Sequence, residues 1–393
     1  MLGRKTGAAL ALAMVIVPAS AHAESAETPS IEWQISLVTD AVGISRDTGS
    51  GVRALGLLDA GADISLDKVA RWSGAVLRVR GLSSFGGRPN DLALTAQGID
   101  NIEVDKHRIR LFELYLEQAF AGDRASVRLG LSDLNSEFYA TEASTLLVSP
   151  AFGIGSELSA TGPNGPSIYP ATALTGRLRY HSDRGVYFQA AAVNAQTGLL
   201  GERGAARPLF GKGALLIAEA GTHRAGTFHA GMGAWTYTSR QPDLRDTDAA
   251  GRPVARRAFG IYALLQKRLA GSEERNVTAF ARAGLSDGKT SPYAGGWQAG
   301  LLVSRPFAGR PESRFSIGIN QGFMTGRFVL NAQDEGRCGH RKETGVELTY
   351  ADKIAGALTV QPFVQINHNA DHEHDARHTF VYALRLRVEF TPR

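Results

Sequence analysis

The sequence predicts an all-β chain folded as a transmembrane antiparallel β-barrel of about 16 strands. Three observations point there. Apolar and polar residues alternate with period two along most of the chain. The connections between these segments alternate between long and short, as an even-stranded barrel with both ends on one side requires. No internal stretch approaches the ~20 apolar residues of a membrane helix.

Residues 1–23 stand apart from this pattern. Arg4 and Lys5 form a positive start, Gly7 to Val17 an apolar run, and Ala21-His22-Ala23 a small-x-small site. That is the build of a secretory signal peptide, with cleavage expected after Ala23. The apolar run is too short to anchor the chain. Residues 24–393 then form a single barrel domain.

The expected strands are 31–39, 54–68, 73–82, 109–120, 124–132, 172–182, 185–194, 213–221, 226–238, 257–269, 276–286, 295–306, 313–322, 344–351, 356–367 and 380–390. Segments 31–39, 54–68 and 213–221 are the least regular. In the fourth, Phe112, Leu114, Leu116 and Phe120 oppose Glu113, Tyr115 and Glu117. In the thirteenth, Phe315, Ile317 and Ile319 oppose Ser316, Gly318 and Asn320. Val346, Leu348 and Tyr350 then oppose Glu347 and Thr349, and Leu358, Val360, Val364 and Ile366 oppose Thr359, Gln361, Phe363, Gln365 and Asn367. The last strand is the clearest: Phe380, Tyr382, Leu384, Leu386, Val388 and Phe390 share one face, and Ala383, Arg385, Arg387 and Glu389 the other. An apolar outside and a polar inside reverse the soluble pattern, and account for the slightly negative mean hydropathy. Gly and Ala recur on the inner face, where side chains must leave space.

Long connections are expected at 40–53, 83–108, 133–171, 195–212, 239–256, 287–294, 323–343 and 368–379, with turns of about six residues or fewer between the others. The stretch 133–171 is the longest and carries apolar pieces (Leu146, Leu147, Val148, Ala151, Phe152, Ile154) that a solvated link does not need. It reads as a constriction loop inside the lumen, with a cap over the mouth as the alternative.

Composition narrows the function classes. The 393 residues carry 43 Lys+Arg against 38 Asp+Glu, with no basic block, which argues against a nucleic-acid stripe. One Cys excludes a disulfide framework and a Cys-based metal centre. A barrel of about 16 strands is wide enough for an aqueous channel. Its lumen-facing candidates are Arg78, Arg80, Glu113, Glu117, Arg128, Arg177, Arg179, Arg385 and Arg387, with Tyr115, Trp235 and Tyr237 as stacking faces. Guanidinium and carboxylate groups facing across a pore offer donors and acceptors without one net sign, which suits a neutral polyhydroxylated solute. The plain alternative for each is a solvated wall charge.

The run Leu111-Phe112-Glu113-Leu114-Tyr115-Leu116-Glu117-Gln118, followed by Arg128-Leu129-Gly130-Leu131-Ser132-Asp133-Leu134-Asn135-Ser136-Glu137-Phe138, resembles the carbohydrate-selective porin family (OprB type) of Gram-negative outer membranes. Phe152-Gly153, Gly165-Pro166-Ser167-Ile168-Tyr169-Pro170, Gln361-Pro362 and Leu384-Arg385-Leu386 are similar as well. The resemblance runs from about residue 105 to the C-terminus and implies a sixteen-stranded, sugar-permeable porin. Two departures stand out: Phe390 is followed by Thr391-Pro392-Arg393, and Ala383 stands where the family often has Gly. The partners expected are small sugars as permeating solutes, outer-membrane lipids and the barrel assembly machinery, with no nucleic acid and no cofactor. Monomer and homotrimer both stay open.

Other features point away from catalysis. The stretch His368 to His378 packs four His and three acids, but reads as a solvated loop before it reads as a metal site. Cys338 has no visible partner, and the sequon at Asn276 starts a strand. No hydrolase, zinc-protease or phosphate-loop motif occurs. Besides a sugar channel, the sequence allows a general or anion-preferring porin and, in other classes, a barrel enzyme or an adhesin.

Overall fold

The computed structural model describes residues 29–198, 210–368 and 378–391. The expected signal peptide, part of the connection 195–212 and the stretch 369–377 lie outside the described residues.

Eighteen strands follow in chain order: β1 (Ile31–Arg46), β2 (Gly49–Ser65), β3 (Ala75–Gly86), β4 (Arg108–Phe120), β5 (Ala125–Ser132), β6 (Ala173–His181), β7 (Val186–Asn194), β8 (Ala214–Arg224), β9 (Phe228–Tyr237), β10 (Gln241–Thr247), β11 (Pro253–Arg256), β12 (Phe259–Gly271), β13 (Asn276–Ser286), β14 (Tyr293–Ser304), β15 (Arg314–Met324), β16 (Lys342–Ala355), β17 (Leu358–His368) and β18 (His378–Phe390). All but β10 and β11 close one antiparallel barrel, sealed by β1 against β18. Each expected strand coincides with a barrel strand, so the fold is the sixteen-stranded barrel that the alternation predicts. Tyr382, Leu384 and Phe390 point outward and are exposed, while Arg385 and Val381 point inward and are buried. No helix is long and apolar enough to cross a membrane among the described residues.

Three local features differ from the expectation. The first connection, expected over 40–53, is only a two-residue turn, because β1 and β2 stay in register out to Arg46 opposite Gly49. The inward Asp40 and the Gly-rich stretch beyond it look like a loop in sequence, but Asp40 is a paired wall residue. Secondly, Phe112 faces inward and is buried, not lipid-facing. The register slips between Arg80 and Gly81 of β3, where two β4 residues oppose one. This β-bulge puts Phe112 and Glu113 on the same side. Thirdly, the connection 239–256 contains its own hairpin, β10–β11.

Two connections turn into the barrel: loop A (87–107, β3 to β4) and loop B (133–172, β5 to β6). Short helices punctuate the chain: α1 (Leu66–Ala70) after β2, α2 (Asn90–Ala93) in loop A, α3 (Ser156–Ser159) in loop B, and α4 (Gly326–Asp334) after β15. Of these four helices α4 alone carries a side-chain N-cap, the Thr325 hydroxyl accepting from Phe328 N at 3.1 Å.

A loop inside a barrel leaves its backbone groups without sheet partners, and buried ones cost energy unless paired. The wall supplies the partners. Glu343 accepts from the N–H groups of Ala96 (2.7 Å) and Gln97 (2.9 Å) in loop A. Glu347 accepts from Val148 (2.6 Å) and Ser149 (2.8 Å), and Glu219 from Tyr139 (2.9 Å), in loop B. Arg282 donates to the carbonyls of Tyr139, Phe152 and Gly153. Gln361 and Gln365 donate to Leu146 O (2.7 Å) and Ile99 O (2.8 Å).

Apolar contacts complete the seating. Phe138, Tyr139, Ile154 and Leu158 of loop B pack on Ile217, Trp235, Tyr237 and Tyr262 of the wall. Ala93, Ile99 and Ile102 of loop A pack on Val38, Val42, Ile44, Phe363 and Val381. Inward glycines make room: a Cβ on Gly318 would sit 2.6 Å from Leu147 Cδ1 and 2.7 Å from Phe152 Cε1. On Gly284 it would meet the Glu157 carboxylate.

Two predictions follow from the seating. Gly318→Val forces Leu147 and Phe152 off the wall and destabilises the barrel by about 1–3 kcal/mol. A denaturant midpoint equal to that of the parent chain would contradict it. The second concerns Glu157 of loop B, which is fully buried against the wall. Burial, opposed in part by its own backbone N–H, the Tyr139 hydroxyl and Arg282, pushes its carboxyl up from 4.5 to about 7. The folded chain therefore holds this proton more tightly than the unfolded chain. Its contribution is intact below 4.5 and is lost as pH rises through about 7. Stability should fall between about pH 5 and about pH 8 in the parent, and Glu157→Gln should flatten that slope. An unchanged slope would assign the titration elsewhere.

Candidate functional site

The inner wall of β2 to β6 carries a continuous charge network. The two-residue period of the strands sends Asp59, Asp63, Arg78, Arg80, Glu113, Glu117, Arg128 and Arg177 to one side. Arg80 makes a two-point contact with Asp59, Nε to Oδ1 at 2.9 Å and Nη2 to Oδ2 at 2.6 Å, and reaches Glu113 at 3.4 Å. Arg78 lies between Asp63 and Glu113. Arg128 donates to Glu117 at 2.7 Å and lies over the Tyr115 ring, 4.0 Å from its centroid. Arg177 bridges Glu117 and Glu137 of loop B, each at 2.8 Å, and is almost completely buried. Arg179 approaches Glu137 at 3.8 Å and stays 41% exposed.

A second network ties β1, β18 and loop A. Arg385 makes a two-point contact with Asp40, at 2.9 and 2.7 Å, and also reaches Asp100 at 3.2 Å and Asn101 Oδ1 at 2.8 Å. Burial and the nearby Asp40 carboxylate hold the Asp100 carboxyl well above the usual carboxylate range. Arg387 pairs with Glu389 at 3.4 Å. Each candidate arginine therefore has a carboxylate within 4 Å, and the lumen has no unpaired row of cations among them.

Three cavities among the described residues bear on the lumen. One of about 340 Å³, towards the long connections, is lined by Gln97, Asn101, Glu103, Asn135, Gly153, Tyr169 and Tyr293. The next, about 430 Å³, is lined by Arg80, Asn101, Asp133, Asn135, Thr141, Ser144 and Gly153. The third, about 160 Å³, holds Glu137, Ala140, Glu142, Arg179, Tyr187, His223 and His229 beside the turn between β8 and β9. Burial and the Glu113 carboxylate push Asp133 up to about 7. A larger concavity of about 760 Å³ lies on the lipid side, floored by Ala190, Ala192, Ala218 and Ala234 and rimmed by Leu129, Leu178, Phe259 and Ile261; it has no part in the channel.

Of the residues nominated from sequence, Arg80 and Arg179 line lumen cavities. Arg78, Glu113, Glu117, Arg128, Arg177 and Arg385 form the framework behind them. Tyr115 supports Arg128, and Arg387 stands apart with Glu389. Trp235 and Tyr237 point inward but are buried under loop B, where Tyr237 bonds Thr161 at 3.1 Å. They stack on no open surface. The sequence reading missed Asn101, Asp133, Asn135 and Glu137, which sit in loops without periodicity, and His223 and His229, which sit at strand ends. Among the described residues no group of His, Cys, Asp and Glu is placed to hold a metal.

The fold recurs in solved outer-membrane channels. Pseudomonas putida OprB in its high-pH structure is 17% identical over 92% of this chain and 94% of that one, with a TM-score of 0.80. The outer membrane channel DcaP of Acinetobacter baumannii is 12% identical over 92% and 97%, at 0.58. An anion-selective porin from Comamonas acidovorans is 10% identical over 92% and 99%, at 0.55. A comparison with curated proteins finds no match. The family model of the carbohydrate-selective porins, OprB family, matches residues 50–390. With that span covering nearly the whole barrel, the chain belongs to the carbohydrate-selective porin (OprB) family and is an outer-membrane porin, not an enzyme.

Proposed function

We propose that this porin passes small neutral carbohydrates by diffusion through the lumen, with loop B (133–171 in the sequence reading) as its constriction. The reading rests on one observation: every candidate arginine of the lumen is matched by a carboxylate. Where they reach the lumen, as at Arg80 and Arg179, paired charges keep N–H and oxygen positions for hydrogen bonding while their partners weaken the field that would concentrate anions. A sugar exchanging its hydration shell for such a wall meets donors and acceptors at low electrostatic cost. The anion-preferring alternative needs a row of unmatched cations; here only Arg179, which shares Glu137 with Arg128 and Arg177, is weakly matched. Export by the leader 1–23, with cleavage after Ala23, belongs to the same proposal.

The test is liposome swelling with hexoses and size-matched amino acids, joined to a reversal potential in a salt gradient. Hexoses should enter faster than amino acids, and the reversal potential should stay near zero. A strong anion preference would overturn the reading. Deleting 143–165 should raise single-channel conductance and erase the preference for hexose. Unchanged conductance would remove loop B from the narrow part of the path.

A further inference from the structure

The two larger lumen cavities share three lining residues, Asn101 of loop A and Asn135 and Gly153 of loop B. A solute moving between the cavities passes these groups. Both amides are held, and the chemistry of their partners fixes which way each one points. Asn101 Oδ1 accepts from Arg385 Nη2 at 2.8 Å. A guanidinium only donates, so the oxygen must be the bound end and Nδ2 the free one. The Asn101 backbone N–H is tied to Val148 O at 3.0 Å. Asn135 has the opposite arrangement. Its Nδ2 donates to Gly153 O at 3.0 Å and to Phe138 O at 3.4 Å, and carbonyls only accept. Oδ1 is therefore the free end. Its backbone N–H is fixed by Asp133 Oδ1 at 3.1 Å.

We infer that Asn101 and Asn135 are specificity-determining residues, presenting one neutral donor and one neutral acceptor to a solute hydroxyl at the junction of the two cavities. This inference rests on the carbohydrate reading above and names the step at which a sugar is distinguished. A hydroxyl both donates and accepts, so it satisfies both amides at once. A carboxylate alone satisfies only the Asn101 donor and an ammonium alone only the Asn135 acceptor, so a zwitterionic amino acid must bring two separate charged groups where a sugar brings one hydroxyl. Each ionic group also gives up hydration that no neutral amide restores. Arg385, held by Asp40 and Asp100, acts here as a positioning residue that aims the amide and does not itself meet the solute.

The experiment uses the full barrel in liposomes and planar bilayers. Asn101→Leu and Asn135→Leu roughly keep the side-chain size and remove the polar ends. Each should lower hexose swelling on the order of fivefold, the weight of one hydrogen bond to a neutral group. Size-matched amino-acid flux and small-ion conductance, which also report correct insertion, should change little. Asn101→Ser, which retains a small donor, should recover part of the hexose flux. If hexose and amino-acid flux fall in equal proportion, the amides set only the aperture and the inference is wrong. If the parent chain prefers hexose and both Leu variants keep that preference, the inference fails while the carbohydrate reading stands. A parent chain with no hexose preference overturns both.

Discussion

A polypeptide that leaves a barrel wall and turns inward must find a new partner for each of its N–H and C=O groups. This constraint organises the interior. Glu343, Glu347 and Glu219 receive loop N–H groups, while Arg282, Gln361 and Gln365 cover loop carbonyls. Much of the polar inner face thus serves the chain itself, and only part of it remains for a solute. The inward glycines answer the same demand in space, since they stand where loop side chains press on the sheet.

The outer face was legible in the sequence because lipid imposes one simple rule on it, and Phe380 to Phe390 obeys it without exception. The inner face was less legible because it obeys two rules at once. Where it meets a loop it is apolar at some positions, as at Ile217, Trp235 and Val381, and polar or charged at others, as at Glu347 and Arg282. Strands with apolar residues on both sides, such as β1 and β8, therefore look irregular as sequence while pairing regularly in the sheet. Phe112 shows the other limit, since a bulge leaves no mark in a pattern of alternating residues. Loop residues such as Asn101 and Asn135 have no period to betray them, and only the folded chain brings them together.

The arginines illustrate how pairing changes the meaning of a charge. Read singly, a row of guanidinium groups suggests an anion path. In the folded barrel Arg177 is enclosed between Glu117 and Glu137, and Arg80 between Asp59 and Glu113. Losing both of its carboxylates would strand Arg177 as a buried cation, which costs far more than the pairing contributes. The network is better understood as a rigid frame that fixes loop B and Tyr115 than as a set of independent binding groups.

The Asp40–Arg385 pair joins the first strand of the barrel to the last, and the same guanidinium holds Asp100 and Asn101 of loop A. One side chain thus braces both the seam of the cylinder and a loop inside it. Replacing Arg385 would therefore loosen the seam between β1 and β18 and the seating of loop A in one step, although Glu343 and Gln365 would still hold other parts of that loop.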